Sequence, residues 1–126
     1  MFIEMLTKIK NAQAVKKENV KVNYSKINES ILKILSSGGY IDGFEKKGQG
    51  IKRILDIKLK YENNAGAINE IKLISKPSRH IYMGYKEIKL VKRGYGLMVI
   101  STPSGIMNGK DARKMKVGGE ALFEIW

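Results

Sequence analysis

The hydrophobic pattern of this chain switches between helical spacing and strict alternation three times in its first 61 residues, which makes that stretch a mixture of helices and strands. Over residues 3–16, Ile3, Leu6, Ile9 and Ala12 share one stripe, and Lys8, Lys10, Asn11 and Lys17 fall away from it. Val20, Val22 and Tyr24 then alternate as in a short strand. Ser25 suits the N-cap of a second helix, whose apolar residues Ile27, Ile31, Ile34 and Leu35 follow at i, i+4, i+7 and i+8. Gly38 and Gly39 end it. Two strands follow around a turn at Gly48-Gln49-Gly50: residues 40–46, then Leu55, Ile57, Leu59 and Tyr61 alternating with Asp56, Lys58 and Lys60. The latter reads as a half-buried strand with a charged outer face. The order is αβαββ.

Asn63-Asn64-Ala65-Gly66 is the strongest turn signal and marks the expected boundary between two modules, 1–65 and 66–126. Beyond it, strands dominate. Residues 69–75 alternate around Ile71 and Leu73, Lys76-Pro77-Ser78 interrupts, and 79–83 resumes. A short helical turn over 86–93 and a hinge at Gly94-Tyr95-Gly96 precede an apolar strand, Leu97 to Ile100. Residues 101–107 read as a loop. Asn108 suits the cap of a short helix over 109–116, with Asp111 in its first turn. Gly118-Gly119 closes that helix, and 120–126 forms a last strand. The expected class is α+β, built of two small α/β modules, the second rich in strands.

Composition then limits the chemistry. Lys and Arg number 24 against 12 Asp and Glu in 126 residues, a net charge of +12. The surplus is spread evenly: 13 basic and 7 acidic side chains in residues 1–65, 11 and 5 in 66–126. A neutral domain with a basic tail is therefore excluded, and a polyanionic partner is the natural reason for such self-repulsion. There is no cysteine and only one histidine, His80, so disulfides, thiolate metal sites, Cys nucleophiles and multi-histidine metal sites are excluded. No run approaches the roughly 20 apolar residues of a membrane helix. Met1-Phe2-Ile3-Glu4 does not read as a signal peptide, which predicts a cytosolic chain, with the Asn23 and Asn28 sequons as chance matches. No cofactor, small-molecule substrate or membrane partner is expected.

Catalytic motifs are weak. Ser30 and Lys33 match S-x-x-K inside an amphipathic helix with no companion motif. Ser78 and His80 lack an orienting carboxylate nearby in sequence. These leave a small serine hydrolase as one alternative, and a basic protein–protein adaptor as another. Gly48-Gln49-Gly50 and Gly94-Tyr95-Gly96 do not continue as a dinucleotide fingerprint and are better read as turns. The cluster Ser101-Thr102-Pro103-Ser104-Gly105 is more informative. Hydroxyls donate and accept, so they suit phosphates, 2′-OH groups and base edges, and Gly105 allows close approach of backbone. Arg113, Lys114 and Lys116 follow as a cationic flank.

The same segment carries a family likeness. Ile100-Ser101-Thr102-Pro103-Ser104-Gly105-Ile106-Met107, then Asp111-Ala112-Arg113-Lys114, then Val117-Gly118-Gly119-Glu120 resembles the C-terminal signature of the small-subunit ribosomal protein eight family. Met5-Leu6-Thr7-Lys8-Ile9-Lys10-Asn11-Ala12 resembles the family's first helix, and Ser75-Lys76-Pro77 with Arg79-His80-Ile81-Tyr82 fits between. The resemblance implies a structural, non-enzymatic protein that binds the central domain of small-subunit ribosomal RNA and touches neighbouring ribosomal proteins. It also implies early assembly and, in some bacteria, repression of the protein's own operon messenger RNA. Its implied place is the cytoplasmic small subunit, or an organelle ribosome for an organelle-encoded chain. The implied RNA-binding set is Lys8, Lys10 and Asn11 on the first helix, then Lys76, Arg79, Tyr82, Ser101, Thr102, Ser104, Gly105, Met107, Arg113, Lys114, Gly118, Gly119 and Glu120. In that set Tyr82 supports an unstacked base, and Glu120 accepts from a base edge or a 2′-OH or orients the loop. Pro103, Ser104, Lys8 and Lys10 depart from the usual Ser, Lys, Arg and Arg, so a phosphate charge is lost at 104 and bidentate geometry at 8 and 10.

Overall fold

The computed structural model describes residues 2–88 and 96–126. The chain divides into two compact units, Met1–Ile68 and Asn69–Trp126. The architecture is α+β, with three helices and antiparallel sheets.

In the first unit, α1 (Phe2–Ala14) and α2 (Lys26–Ser37) cover one face of a three-stranded antiparallel sheet of β1 (Asn19–Asn23), β2 (Ile41–Lys47) and β3 (Ile54–Leu59), with β3 in the centre. The core is the meeting of the two periodicities. Met5, Leu6, Ile9, Ile31, Leu32 and Leu35 come from the helices, and Val22, Leu55, Ile57 and Leu59 from alternate strand positions. Each such side chain contributes about 1.5–3 kcal/mol by leaving water. The Ser25 hydroxyl accepts from the Asn28 N–H at 3.0 Å and fixes the start of α2. Tyr61 does not extend β3. It opens a two-residue strand, β4 (Tyr61–Glu62), paired with β5 (Ala65–Gly66) across Asn63 and Asn64, both left-handed at φ 53° and 64°. Two positive φ values are what a tight two-residue hairpin needs, and asparagine tolerates them. The unit ends at Ile68, three residues beyond the boundary expected at 65. There the Gln13 carboxamide donates to the Ile68 carbonyl at 2.7 Å and accepts from its N–H at 3.2 Å.

The second unit is a five-stranded sheet in which β10 (Gly119–Ile125) is the hub. It pairs with β6 (Ile71–Leu73), β7 (Tyr82–Met83) and β8 (Leu97–Thr102), and β8 pairs in turn with β9 (Gly105–Asn108). One helix, α3 (Gly109–Met115), packs on one face and joins its Ala112 to a core of Ile88, Met98, Ile100 and Ala121. Two expectations are corrected. Residues 105–108 are a strand, so the expected loop shrinks to Pro103 and Ser104. And Lys116, at φ 57°, ends α3 in the left-handed conformation, with the Val117 N–H returning to the Ala112 carbonyl. Gly118 and Gly119 therefore have another task. The expected helical turn over 86–93 is represented by a single 3₁₀ turn at Tyr85–Glu87 that ends at the extended Ile88, and residues 89–93, with Gly94 and Tyr95 of the expected hinge, lie outside the described residues.

Candidate nucleic-acid interface

The hydroxyl cluster is shaped by its own threonine. Thr102 faces Gly105 across β8 and β9, and its hydroxyl donates to the Gly105 carbonyl at 2.8 Å and accepts from the Ser104 N–H at 3.1 Å. Thr102 is buried and its hydroxyl is spent on the turn. Pro103 and Ser104 form the exposed tip, and Gly105 takes φ 120°, a value side chains rarely adopt. The Ser101 and Ser104 hydroxyls make no hydrogen bond among the described residues.

Register then assembles a row. Tyr82 pairs with Glu120, and Glu120 with Ser101. Directly opposed residues share a sheet face, so three residues from three strands stand side by side, with Ile106 next along. Ile100, Ala121 and Met107 occupy the opposite face, against α3. Met107 is therefore a packing residue, and its side chain is turned away from the row. Gly118 and Gly119 make the row possible: a Cβ on Gly119 would overlap the Ser101 carbonyl, and one on Gly118 the Met83 carbonyl. No side chain fits between strands brought this close.

Two further contacts set the row. At Leu122 the register of β10 against β8 shifts, and its carbonyl accepts from the N–H groups of Ile74 and Ser75. The buried Ser75 hydroxyl donates to the Ala121 carbonyl at 2.6 Å and accepts from the Ile81 N–H at 3.0 Å, so it stitches the 75–81 segment to β10. That segment turns tightly at Pro77 and Ser78, where Lys76 and Arg79 exchange both backbone hydrogen bonds and leave their side chains exposed. The stitch brings His80 Nδ1 to 2.7 Å from Glu120 Oε2. An ionised carboxylate there requires the proton on Nδ1, and His80 then presents Nε2 outward. Glu120 Oε1 makes no hydrogen bond among the described residues, and the His80 and Tyr82 side chains are mostly exposed. The arrangement offers two hydroxyls, a phenol, a carboxylate oxygen and an imidazole nitrogen on one strip, with Lys76 and Arg79 on the adjoining turn.

The model of the family described as "Ribosomal protein S8" matches residues 1–126. The chain belongs to the ribosomal protein S8 family. It is 43% identical over 122 residues to the small ribosomal subunit protein uS8 of Nautilia profundicola, a match covering 96% of this chain and 93% of the relative. Against the uS8 of Borrelia turicatae it is 46% identical over 128 residues (98% and 94%), and against that of Thermus aquaticus 42% over 131 residues (98% and 95%). The S8 family is one of small-subunit ribosomal proteins, not of enzymes.

The remaining positions expected to bind RNA lie on α3 and on α1 of the first unit. Arg113, on α3, directs a guanidinium N–H to the Ile88 carbonyl at 3.3 Å, and Lys114 is exposed beside it. Lys8, Lys10 and Asn11 lie on α1 in the first unit, Lys8 and Asn11 exposed and Lys10 half-buried. From sequence, His80 reads as a weak base for Ser78 and as part of the family-like segment Arg79–Tyr82, without a partner. Its partnership with Glu120 spans 40 residues, and no local signal announces it. Among the described residues, no three His, Asp or Glu side chains are grouped to hold a metal, and no helix is long and apolar enough to cross a membrane.

Proposed function

We propose that this chain binds the central domain of small-subunit ribosomal RNA as an early structural component of the subunit, in the cytoplasm, beside neighbouring ribosomal proteins. One observation carries the reading. The Tyr82–Glu120–Ser101 row, with Ser104 at its end, holds donors and acceptors that the protein's own hydrogen bonds leave unspent, on a chain of net charge +12. Polar groups prepaid in position and flanked by cations suit a folded RNA stem: small hydroxyls enter the shallow minor groove, and the cations take phosphates. A carboxylate facing a polyanion is unfavourable unless it accepts hydrogen bonds, so Glu120 reads a base amine or a 2′-OH. His80 holds that carboxylate in place. The same strip would serve a messenger RNA copying the ribosomal stem, which is how the chain would repress its own operon.

The test compares a transcript of the central domain with an unrelated duplex of equal length, across a salt series. Ser104→Ala and Glu120→Ala each weaken binding to the first by about 1–3 kcal/mol and leave the second nearly unchanged. Equal losses on both RNAs would refute the reading roles. Lys8→Ala lowers both affinities and flattens the salt slope by about one.

A further inference from the structure

The first unit carries a cluster that the strip in the second does not explain. Tyr24 follows β1 and Arg53 precedes β3, and the Tyr24 N–H donates to the Arg53 carbonyl at 3.2 Å. The Arg53 guanidinium lies over the Tyr24 ring, 4.3 Å from its centroid, and Nε donates to the Gly50 carbonyl at 3.3 Å. Gly48 and Gly50, at φ 84° and 61°, bend the chain into the 3₁₀ turn Gly50–Lys52 that places this carbonyl. The carboxylate beside the ring, Glu29, is already matched by Lys46 at 3.6 Å, and Asp56 of the same sheet by Lys47 at 2.9 Å. Among the described residues, no carboxylate lies within ion-pair distance of Arg53 or of Lys52, and both are exposed.

A guanidinium stacked on a ring and tied at Nε has lost its freedom before any partner arrives. Its terminal NH₂ groups keep the planar fork that grips two oxygens of one phosphate. We infer that Arg53, held by Tyr24 and flanked by Lys52, is a phosphate clamp for the RNA backbone, a second foothold on the first unit. This rests on the RNA-binding reading above. A phosphodiester chain fits better than an acidic protein segment because it offers Lys52 a neighbouring phosphate, and because residues 1–65 carry 13 basic against 7 acidic groups.

The chain has no cysteine, so one can be placed at will to carry an iron chelate that cleaves nearby RNA. Ile51→Cys, at a fully exposed position beside the clamp, reports on it, and Pro103→Cys reports on the hydroxyl tip. In complexes with the central-domain transcript, both tethers are expected to cut, at different nucleotides. Arg53→Lys keeps the charge but loses the fork and weakens binding about five- to tenfold, and Tyr24→Leu does the same with an unchanged melting curve, whereas Tyr24→Phe binds like the parent. Cuts from position 103 but none from 51, with Arg53→Lys at parental affinity, overturn the clamp and leave the main reading standing. Cuts from neither overturn that reading as well. Crosslinking of position 51 to a protein alone in assembled subunits replaces RNA with a protein partner and also overturns the clamp.

Discussion

The two units differ in the polar contacts that dress their sheets. In the first, charges are spent on one another: Lys47 on Asp56, Lys46 on Glu29, Lys60 on Glu62, with Asn19 completing the Asp56 shell. In the second, hydroxyls are spent on backbone: Ser75 on Ala121 and Ile81, Thr102 on Gly105 and Ser104. Exposed ion pairs are worth little and tolerate movement. Buried hydroxyl stitches fix backbone, and leaving one unmade is costly. The unit that presents the finer chemical pattern is thus the one whose frame is held by short, buried hydrogen bonds.

The contrast breaks first at Gly119. Gly119→Ala drives a methyl group into the Ser101 carbonyl, where no rotamer relieves the clash, and is expected to cost about 3 kcal/mol in chemical denaturation. It should also abolish selective RNA binding, because β8 and β10 must separate. Ser75→Ala comes next. It leaves the Ala121 carbonyl and the Ile81 N–H without their partner and is expected to cost about 1–3 kcal/mol by the same measurement. Hydrogen exchange should show the loss at Ile81, while β3 in the first unit keeps its protection.

The smallest effect belongs to the first unit. The hydrogen bond from Lys47, then that from Asn19, holds the Asp56 carboxyl below the usual carboxylate range. Its folded value lies below its unfolded one, so its stabilising contribution is present at neutral pH and is lost as pH falls through the lowered folded value. Lys47 is held above the ordinary lysine value, chiefly by the same hydrogen bond, so its share is lost only as pH rises through that raised value. The gap between Asp56→Asn and the parent in thermal melts should therefore be fullest near neutral pH, narrow in acid below about pH 4, and narrow again in alkali once Lys47 loses its proton. A gap of equal size at every pH would show that the pair contributes no charge-dependent stability.

Much of the frame was legible because it is local. Ser25 caps the helix it was expected to cap, and Leu55, Ile57 and Leu59 are buried as their alternation requires. What escaped was set by distant partners. Residues 105–108 lack alternation and become a strand only because β8 supplies a ladder. Lys116 adopts a left-handed turn that favours glycine, so the two glycines that follow invited the wrong explanation. In the candidate site, Ser101, Ser104, Tyr82 and Glu120 were visible as residue types, but their alignment is a product of pairing. Met107 and Thr102 share the motif and face inward, a division that follows from register and turn geometry. Arg53 carries no local signal, because its meaning comes from Tyr24, 29 positions earlier in the chain.

The Gln13 carboxamide imitates a strand edge, offering one donor and one acceptor to Ile68. Every group needed for that clasp belongs to the first 68 residues. The clasp can therefore close before residues 69–126 are translated, and domains generally fold as units in the order they emerge. The strip proposed to meet RNA, which needs Tyr82, Ser101 and Glu120 together, is completed only after that clasp can close.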